Sequence, residues 1–163
     1  MKAIVFDVDG TLTDGNIYMG LNGEFMKSFN IKDGYGIHDI MPNYGLIPII
    51  ITSRKSEIVR NRCVELGIEH IYQDCHDKLL KLIEIATSLG MVRNERGRYE
   101  ELAYMGDDNI DLLPMEICGL KGCPADASKE VKSIVDFIST YDGGKGAARE
   151  FIEWVIEKNS GNI

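Results

Sequence analysis

Two carboxylates follow a short apolar segment near the start of the chain. Residues 3–6 are apolar and rich in β-branched side chains, a pattern typical of a strand buried on both faces. Asp7 and Asp9 are two residues apart, so they leave an extended chain on the same side, and Gly10 permits a tight turn after them. In an open parallel sheet, ligands bind at this end of the strands. One carboxylate there can act as a nucleophile while the other exchanges protons, although Asp-x-Asp-Gly alone is equally typical of a polar turn.

Three further polar positions stand at the ends or starts of apolar segments. Thr52 closes one apolar run, Lys78 opens a stretch with helical periodicity, and Asp107 with Asp108 follows another run. A hydroxyl can donate to a phosphoryl oxygen, and a lysine at a helix start can neutralise a developing anion. Two of these positions also have a plainer interpretation, Lys78 as a solvated surface lysine and Asp107 with Asp108 as a helix N-cap pair. If the acidic pair lies beside Asp7, the carboxylates repel one another without a cation, and Mg²⁺ is the natural occupant.

The string Phe-Asp-Val-Asp-Gly-Thr-Leu-Thr-Asp-Gly, residues 6–15, resembles the first motif of the haloacid dehalogenase-like phosphohydrolases. In that family a Ser or Thr closing a second strand, a Lys opening a later helix and a late acidic pair follow in order. The three polar positions above match this order, so the resemblance covers most of the chain. It implies a Mg²⁺-dependent phosphomonoester hydrolase in which Asp7 is the nucleophile that forms an aspartyl-phosphate, and Asp9 is the general acid/base.

The same resemblance assigns roles to the other polar residues of these motifs. They fall into metal ligands (Asp7, the backbone carbonyl of Asp9, and Asp107), phosphate-binding residues (Thr52, Ser53 and Lys78) and residues that support the metal ligands from behind (Asp108 and Asp111).

Two shorter features resemble one capless branch of this family, the 3-deoxy-D-manno-octulosonate 8-phosphate phosphatases. One is Arg54-Lys55-Ser56, and the other is the glycine-rich segment 143–146 followed by Arg149. The branch implies a phosphorylated sugar acid as substrate, whose carboxylate a guanidinium can hold through two parallel hydrogen bonds. The expected substrate contacts are Arg54 and, across a subunit boundary, Arg149.

The chain departs from that branch at Ser53 and Asp74, where the branch usually has glycine. Arg54 also has a plainer interpretation, as a cap on the sheet edge or a partner of Glu57. A related nonulosonate 9-phosphate remains an alternative substrate. A regulatory, non-catalytic domain associated with a cytidylyltransferase remains an alternative function, although the intact Asp9 argues against it.

Two other classes of protein fit the sequence less well. A receiver-like signalling module also uses acidic residues, a Thr and a Lys around Mg²⁺. It carries its acidic pair on the first strand and its phosphoacceptor on the third, whereas here Asp7 and Asp9 follow the first strand and the second acidic pair comes late in the chain. The segment 143–146 is glycine-rich like a nucleotide-binding loop, but Gly146 stands where that loop requires Ser or Thr.

Apolar runs of strand length alternate with helical patterns, which predicts a parallel sheet covered by helices on both faces. The fold class is a three-layer α/β sandwich with a Rossmann-like sheet, and residues 1–163 are expected to form a single domain without a cap. Strands are expected at 3–6, 46–51, 70–72, 102–105, 119–123 and 135–138, helices at 36–43, 55–66, 78–89, 110–115, from about 128 and at 150–158, and a charged loop at 93–101.

Residues 17–31 read as a β-hairpin, with strands at 17–19 and 25–31 around a Gly- and Asn-containing turn. Its apolar side chains need a partner, which is either a second subunit or the body of the same domain. Members of the resembling branch assemble through this hairpin, so a homotetramer is expected.

Composition excludes several classes of partner. The formal net charge of −8 and the absence of a Lys/Arg cluster argue against nucleic acid. No apolar stretch approaches the roughly 20 residues of a membrane span, so a cytoplasmic protein is expected. The four cysteines lack paired C-x-x-C spacing, which predicts free thiols rather than a zinc site.

Overall fold

A computed structural model describes residues 1–161 of the chain. Its strands, in chain order, are β1 Ala3–Phe6, β2 Tyr18–Gly20, β3 Gly23–Met26, β4 Ile47–Ile51, β5 His70–Tyr72, β6 Tyr99–Met105, β7 Cys118–Cys123 and β8 Phe137–Ile138. Its α-helices are α1 Ile31–Tyr35, α2 Met41–Asn43, α3 Glu57–Glu65, α4 Lys78–Ser88, α5 Leu112–Glu116, α6 Lys129–Ile134 and α7 Ala147–Asn159, with a π-helical turn Gly36–Ile40 between α1 and α2 and a 3₁₀ turn Asn109–Asp111 before α5.

Six strands form one parallel sheet in the order β5-β4-β1-β6-β7-β8. The chain builds outward from β1 to β5 on one side and from β6 to β8 on the other, so β1 lies at the point where the strand order reverses. At its end, Phe6 pairs with Ile50 of β4 and with Met105 of β6. The residues that follow these three strands therefore meet at one edge, which is where ligands bind in such sheets.

Helices cover both faces of the sheet, which confirms the three-layer α/β fold class. Alternate residues of β1 point to opposite faces, as strand geometry requires. Phe6 packs in a cluster with α3 and α7, whereas Val5 packs in a second cluster with α4, α5 and α6. The four cysteines are buried and unpaired, as expected, and they divide between the layers, with Cys63 in the first cluster and Cys118 and Cys123 in the second.

Several predicted boundaries are wrong. The closing helix expected to begin at residue 150 already begins at Ala147. The loop expected at 93–101 ends early because β6 already begins at Tyr99, which is buried and pairs with Cys118 of β7. The strand expected to reach Ile31 ends at Met26, and a helix begins at Ile31 instead. The side chain of Asn30 accepts a hydrogen bond from the backbone N–H of Lys32 at 2.8 Å, which is the contact of a helix N-cap.

The predicted hairpin is present as the antiparallel pair β2 and β3, which forms a small sheet of its own. Its apolar side chains remain exposed in the single chain: Leu21 at the turn is fully exposed, and Met19 and Phe25 are about two-thirds exposed. Within residues 1–161 the chain has no additional cap domain. None of the described helices has the length and apolar character needed to cross a membrane.

Asp74 lies in the loop after β5 with a φ of +58°, the one positive value among the non-glycine residues described. This left-handed conformation is open to glycine without cost and to Asp or Asn with little. Asp74 stands where the resemblance leads us to expect glycine, and its backbone adopts a conformation that glycine also allows.

Candidate active site

The end of β1 carries a buried ion-pair cluster. The Asp7 carboxylate accepts a hydrogen bond from Nζ of Lys78 through Oδ1 at 2.7 Å, and the same Nζ lies 2.8 Å from Oδ1 of Asp111. Lys78 is the first residue of α4, and the N-cap Asp77 fixes that helix start by accepting from the backbone N–H of Leu80. The ammonium group is therefore held where β1 and the segment after β6 converge.

Asp111 is fully engaged by protein donors. Its Oδ1 also accepts from the hydroxyl of the buried Tyr104 at 2.9 Å, and its Oδ2 accepts from the backbone N–H groups of Asp107 at 3.1 Å and Asp108 at 3.4 Å. Asp111 thus orients both Lys78 and the turn that carries Asp107. Sequence reasoning missed Tyr104, because its position within an apolar strand gives no sign of a polar contact.

Burial and like charges dominate the electrostatics of this cluster. Burial raises the pKa of Asp7 well above its usual range, the Asp111 charge adds to this, and Lys78 opposes it. Burial and the Asp111 charge raise the pKa of Asp107 to about 6. Burial acts to lower the pKa of Lys78, but the carboxylates of Asp7 and Asp111 outweigh it and the net shift is upward. The site thus has too little positive charge for its carboxylates.

The acidic cluster fits a divalent cation. One carboxylate oxygen from each of Asp7, Asp107 and Asp111 lies within 4.8 Å of the others. Because Asp111 already accepts four hydrogen bonds, Asp7 and Asp107 are the carboxylates left for a metal. Oxygen ligands of this kind suit hard cations such as Mg²⁺. Gly10 allows the close approach: its φ is +92°, and a Cβ there would lie 2.1 Å from Oδ2 of Asp107.

A second charge network surrounds Asp9. Nζ of Lys27 contacts Oδ1 of Asp9 and lies 2.8 Å from Oε1 of Glu24, and NH1 of Arg54 lies 3.2 Å from the same Glu24 oxygen and 4.0 Å from Oδ1 of Asp9. Sequence reasoning missed Lys27 and Glu24, because their reach into the site depends on how the hairpin folds back. The suggested pairing of Arg54 with Glu57 is wrong. Arg54 pairs with Glu24, and the cation near Glu57 is Arg60 of α3.

Most of the predicted residues line a single cleft of about 130 Å³. Thr52 is buried at the end of β4, and the Ser53 hydroxyl donates to the backbone carbonyl of Cys75 at 3.1 Å, which ties the two neighbouring loops together. The cleft is lined by Asp7, Asp9, Thr52, Ser53, Arg54, Asp107, Asp108 and Ile110.

Arg149 does not line this cleft within one chain. Its Nε lies 2.6 Å from Oε1 of Glu153, and its guanidinium stacks over the ring of Tyr35 at 5.1 Å. The glycine-rich segment before it has a packing role instead. A Cβ on Gly143 would lie 1.9 Å from the carbonyl oxygen of Gly10, so this segment supports the loop after β1 from behind.

Relatives of the chain are phosphatases. The chain is 39% identical over 156 residues to the 3-deoxy-D-manno-octulosonate 8-phosphate phosphatase KdsC of Escherichia coli K12, covering 96% of this chain and 79% of the relative. It is 36% identical to the KdsC of Yersinia pestis, with 96% and 80% covered. No protein-family model matches the chain.

Solved structures agree with these relatives. The cobalt-bound deoxy-D-mannose-octulosonate 8-phosphate phosphatase from Haemophilus influenzae superposes with a TM-score of 0.89 at 33% identity, covering 98% of this chain and 90% of the other. The Moraxella catarrhalis 3-deoxy-D-manno-octulosonate 8-phosphate phosphatase, in complex with magnesium ion, phosphate ion and KDO, superposes with a TM-score of 0.88 at 35% identity, with 96% and 86% covered.

The fold is that of a haloacid dehalogenase-like phosphatase. Within that class, the chain belongs to the 3-deoxy-D-manno-octulosonate 8-phosphate phosphatase (KdsC) family.

Proposed function

We propose that this phosphatase hydrolyses a phosphomonoester through an aspartyl-phosphate on Asp7. The observation that carries the proposal is the convergence of Asp7, Lys78 and Asp107 at the centre of the sheet, with Asp9 beside them in the same cleft. Phosphate monoesters hydrolyse so slowly unaided that enzymes accelerate them by up to about 10²¹-fold. A nucleophile alone is insufficient for this, and charge stabilisation is needed as well.

The reaction has two steps. An oxygen of Asp7 attacks phosphorus in line, the phosphorus–oxygen ester bond breaks, and Asp9 gives a proton to the departing oxygen. Asp9 then takes a proton from water, whose oxygen attacks phosphorus and breaks the bond to Asp7. Lys78 and the hydroxyls of Thr52 and Ser53 hold the phosphoryl oxygens during both steps.

The proposed cofactor is Mg²⁺. Its ligands would be the carboxylates of Asp7 and Asp107 and the backbone carbonyl of Asp9, with Asp108 and Asp111 supporting that arrangement. When bound, the cation supplies the positive charge that the buried carboxylates lack and that the phosphoryl group requires. The Thr11 hydroxyl, which donates to Oδ1 of Asp107 at 3.1 Å, helps to hold that ligand in place.

The proposed substrate is 3-deoxy-D-manno-octulosonate 8-phosphate, the compound for which the relatives are named. Arg54 supports this choice, because it stands at the mouth of the cleft beyond Thr52 and is 43% exposed. A guanidinium in that position can reach past the phosphoryl group to a sugar-acid carboxylate.

We further propose that residues 1–163 form a single domain and that the chain assembles as a homotetramer through the hairpin 17–31. The exposed apolar side chains of β2 and β3 support an assembly, and a second subunit would also screen the cleft from water. Arg149 would then act on the substrate of a neighbouring subunit.

The mechanism is tested by Asp7→Asn and Asp9→Asn. We expect Asp7→Asn to abolish turnover and phosphoenzyme formation, and Asp9→Asn to lose on the order of 10²-fold or more in kcat. Turnover is measured by phosphate release with Mg²⁺, and the phosphoenzyme by intact mass. Asp39→Asn, an exposed carboxylate outside the cleft, is the matched control. Normal turnover in Asp7→Asn would rule the mechanism out.

A further inference from the structure

We propose that Lys27 is a positioning residue for Asp9 in the phosphatase reaction. The proposal rests on the role proposed above for Asp9 as the general acid/base, and it adds a residue that belongs to the hairpin side of the molecule. Lys27 follows β3 directly, outside the six-stranded sheet, yet its side chain ends against a carboxylate of the loop after β1.

Lys27 is almost completely withdrawn from water. Its side chain is 1% exposed, and its ammonium group contacts both Asp9 and Glu24. Burying an ammonium ion is costly unless carboxylates offset the lost hydration, so the contact with Asp9 is part of what keeps this cation in place. The side chain does not line the cleft, and its ammonium group is directed at the carboxylates of Asp9 and Glu24. Its action on the reaction therefore passes through Asp9.

The contact leaves one oxygen of Asp9 free. Lys27 contacts Oδ1, whereas Oδ2 has no hydrogen-bond partner among residues 1–161. The Asp9 side chain is 20% exposed and lines the cleft. Fixing Oδ1 selects one rotation of the carboxylate group, and that rotation makes Oδ2 the oxygen available for exchanging a proton. Misplacement of a reacting group by about 1 Å can cost on the order of 10²-fold in rate.

Lys27 is itself held in a closed ring of alternating charges. Asp9, Lys27, Glu24 and Arg54 form successive contacts, and Arg54 returns to within 4.0 Å of Asp9. Two members come from the hairpin segment and two from loops at the carboxyl ends of β1 and β4. The ring thus connects the hairpin to the sheet at Asp9 and restricts rotation of the Asp9 side chain.

The test compares two leaving groups. An alkyl phosphate, 3-deoxy-D-manno-octulosonate 8-phosphate, needs a proton delivered to the departing oxygen, whereas p-nitrophenyl phosphate releases a stable anion without one. We expect Lys27→Met to lower kcat for the alkyl phosphate by at least about 30-fold, and for p-nitrophenyl phosphate by less than about threefold. KM should change little for either substrate, and Lys27→Arg should restore part of the alkyl activity.

Lys121→Met is the matched control, because Lys121 is also a buried lysine paired with a carboxylate, Asp136 at 3.4 Å, but Asp136, unlike Asp9, does not line the cleft. It should leave both activities unchanged. If Lys27→Met fails to fold, Glu24→Gln is the alternative, because it removes one charge of the ring while keeping the lysine. It should also lower kcat preferentially for the alkyl phosphate, by a smaller factor.

Asp9→Asn, measured in parallel, distinguishes failure of the proposed role of Asp9 from failure of the role inferred for Lys27. If Asp9→Asn lacks the preferential loss on the alkyl phosphate, the role of Asp9 fails and this inference fails with it. If Asp9→Asn has that preference and the Lys27 and Glu24 variants lose equally on both substrates, the inference alone is overturned.

Discussion

At the scale of single residues, Arg54 joins the charge ring to the open side of the cleft. One of its nitrogens is engaged by Glu24, and a guanidinium has five N–H donors, so donors remain for a ligand carboxylate. A lysine could keep the ion pair but could not form two parallel hydrogen bonds. We expect Arg54→Lys to lower kcat/KM for the sugar-acid phosphate by at least about tenfold, as measured by steady-state phosphate release.

The control for Arg54→Lys is a small phosphate ester without a carboxylate, whose hydrolysis should stay nearly unchanged. Equal losses on both esters would mean that Arg54 serves the phosphoryl group or the fold, and the sugar-acid assignment would lose its main physical support.

Asp107 couples cation binding to pH. Its pKa, raised from 3.8 to about 6, is higher in the folded than in the unfolded chain, so its contribution to stability is lost as pH rises through about 6 in the metal-free protein. Mg²⁺ needs the ionised carboxylate and competes with the proton. We therefore expect saturating Mg²⁺ to raise Tm more at pH about 7.5 than at pH about 5, as measured by thermal unfolding.

Asp107→Asn provides the comparison for this pH effect. The variant should show a small Mg²⁺-induced rise in Tm that is nearly independent of pH. A rise in the unaltered protein that is equally large at both pH values would contradict the assignment of Asp107 as a cation ligand.

The sequence located the cluster at the sheet edge but not all of the residues that support it. Asp7, Thr52 and Asp107 each follow an apolar run, and that local signal is enough to place them at strand ends. Lys27 carries no such signal, because it reaches Asp9 only when the hairpin folds back, and Tyr104 carries none, because it lies inside an apolar strand. Their contacts arise from tertiary packing, and their types and spacing in the sequence do not indicate them.

At the scale of elements, the carboxylate of Asp33 in α1 caps the start of α7. Its Oδ1 accepts from the backbone N–H of Arg149 at 2.9 Å, and α7 has no side-chain cap of its own at Gly146. Burial raises the pKa of Asp33, although the backbone amides of α7 oppose the shift. We expect Asp33→Ala to lower the free energy of unfolding by about 1–3 kcal/mol in urea titrations, the cost of leaving buried donors unsatisfied.

Asp39→Ala tests whether the loss of any carboxylate on this helical segment has the same effect. Asp39 is exposed, so its removal should change the free energy of unfolding by less than about 0.5 kcal/mol. Equal losses in the two variants would show that Asp33 does not act as a helix cap.

The elements themselves were largely predictable, and the errors have local causes. Tyr99 begins β6 earlier than expected because two exposed glutamates separate it from the apolar run, and their charge suggested a loop. The sequence pattern predicts a strand at Asn30, because apolar residues flank it. Its capping hydrogen bond decides the helix start, and the apolar pattern around it is compatible with either element.

At the scale of the whole molecule, the hairpin is the surface that an assembly would cover. Leu21 and Met19 project into solvent in the single chain. We expect the unaltered protein to sediment as a tetramer, and Leu21→Asp with Met19→Asp to dissociate it, because a buried carboxylate without a partner is strongly unfavourable at an apolar interface.

Val92→Asp controls for the effect of a new surface carboxylate. Val92 is 81% exposed on a loop distant in sequence from the hairpin, and its substitution should leave the sedimentation coefficient unchanged. A fully active monomer of the unaltered protein at assay concentration would exclude the tetramer as the functional form.

Buried thiols lie in both helical layers, so the rate at which each thiol reacts reports local opening of its layer. Burial raises the pKa of Cys63 and of Cys123 to about 11, so neither thiol reacts appreciably with alkylating reagents while its layer is closed. Each labelling event then marks a fluctuation that exposes one face of the sheet. The modification rate at Cys63 reports the α3 and α7 layer, and the rate at Cys123 reports the opposite one, without an introduced probe.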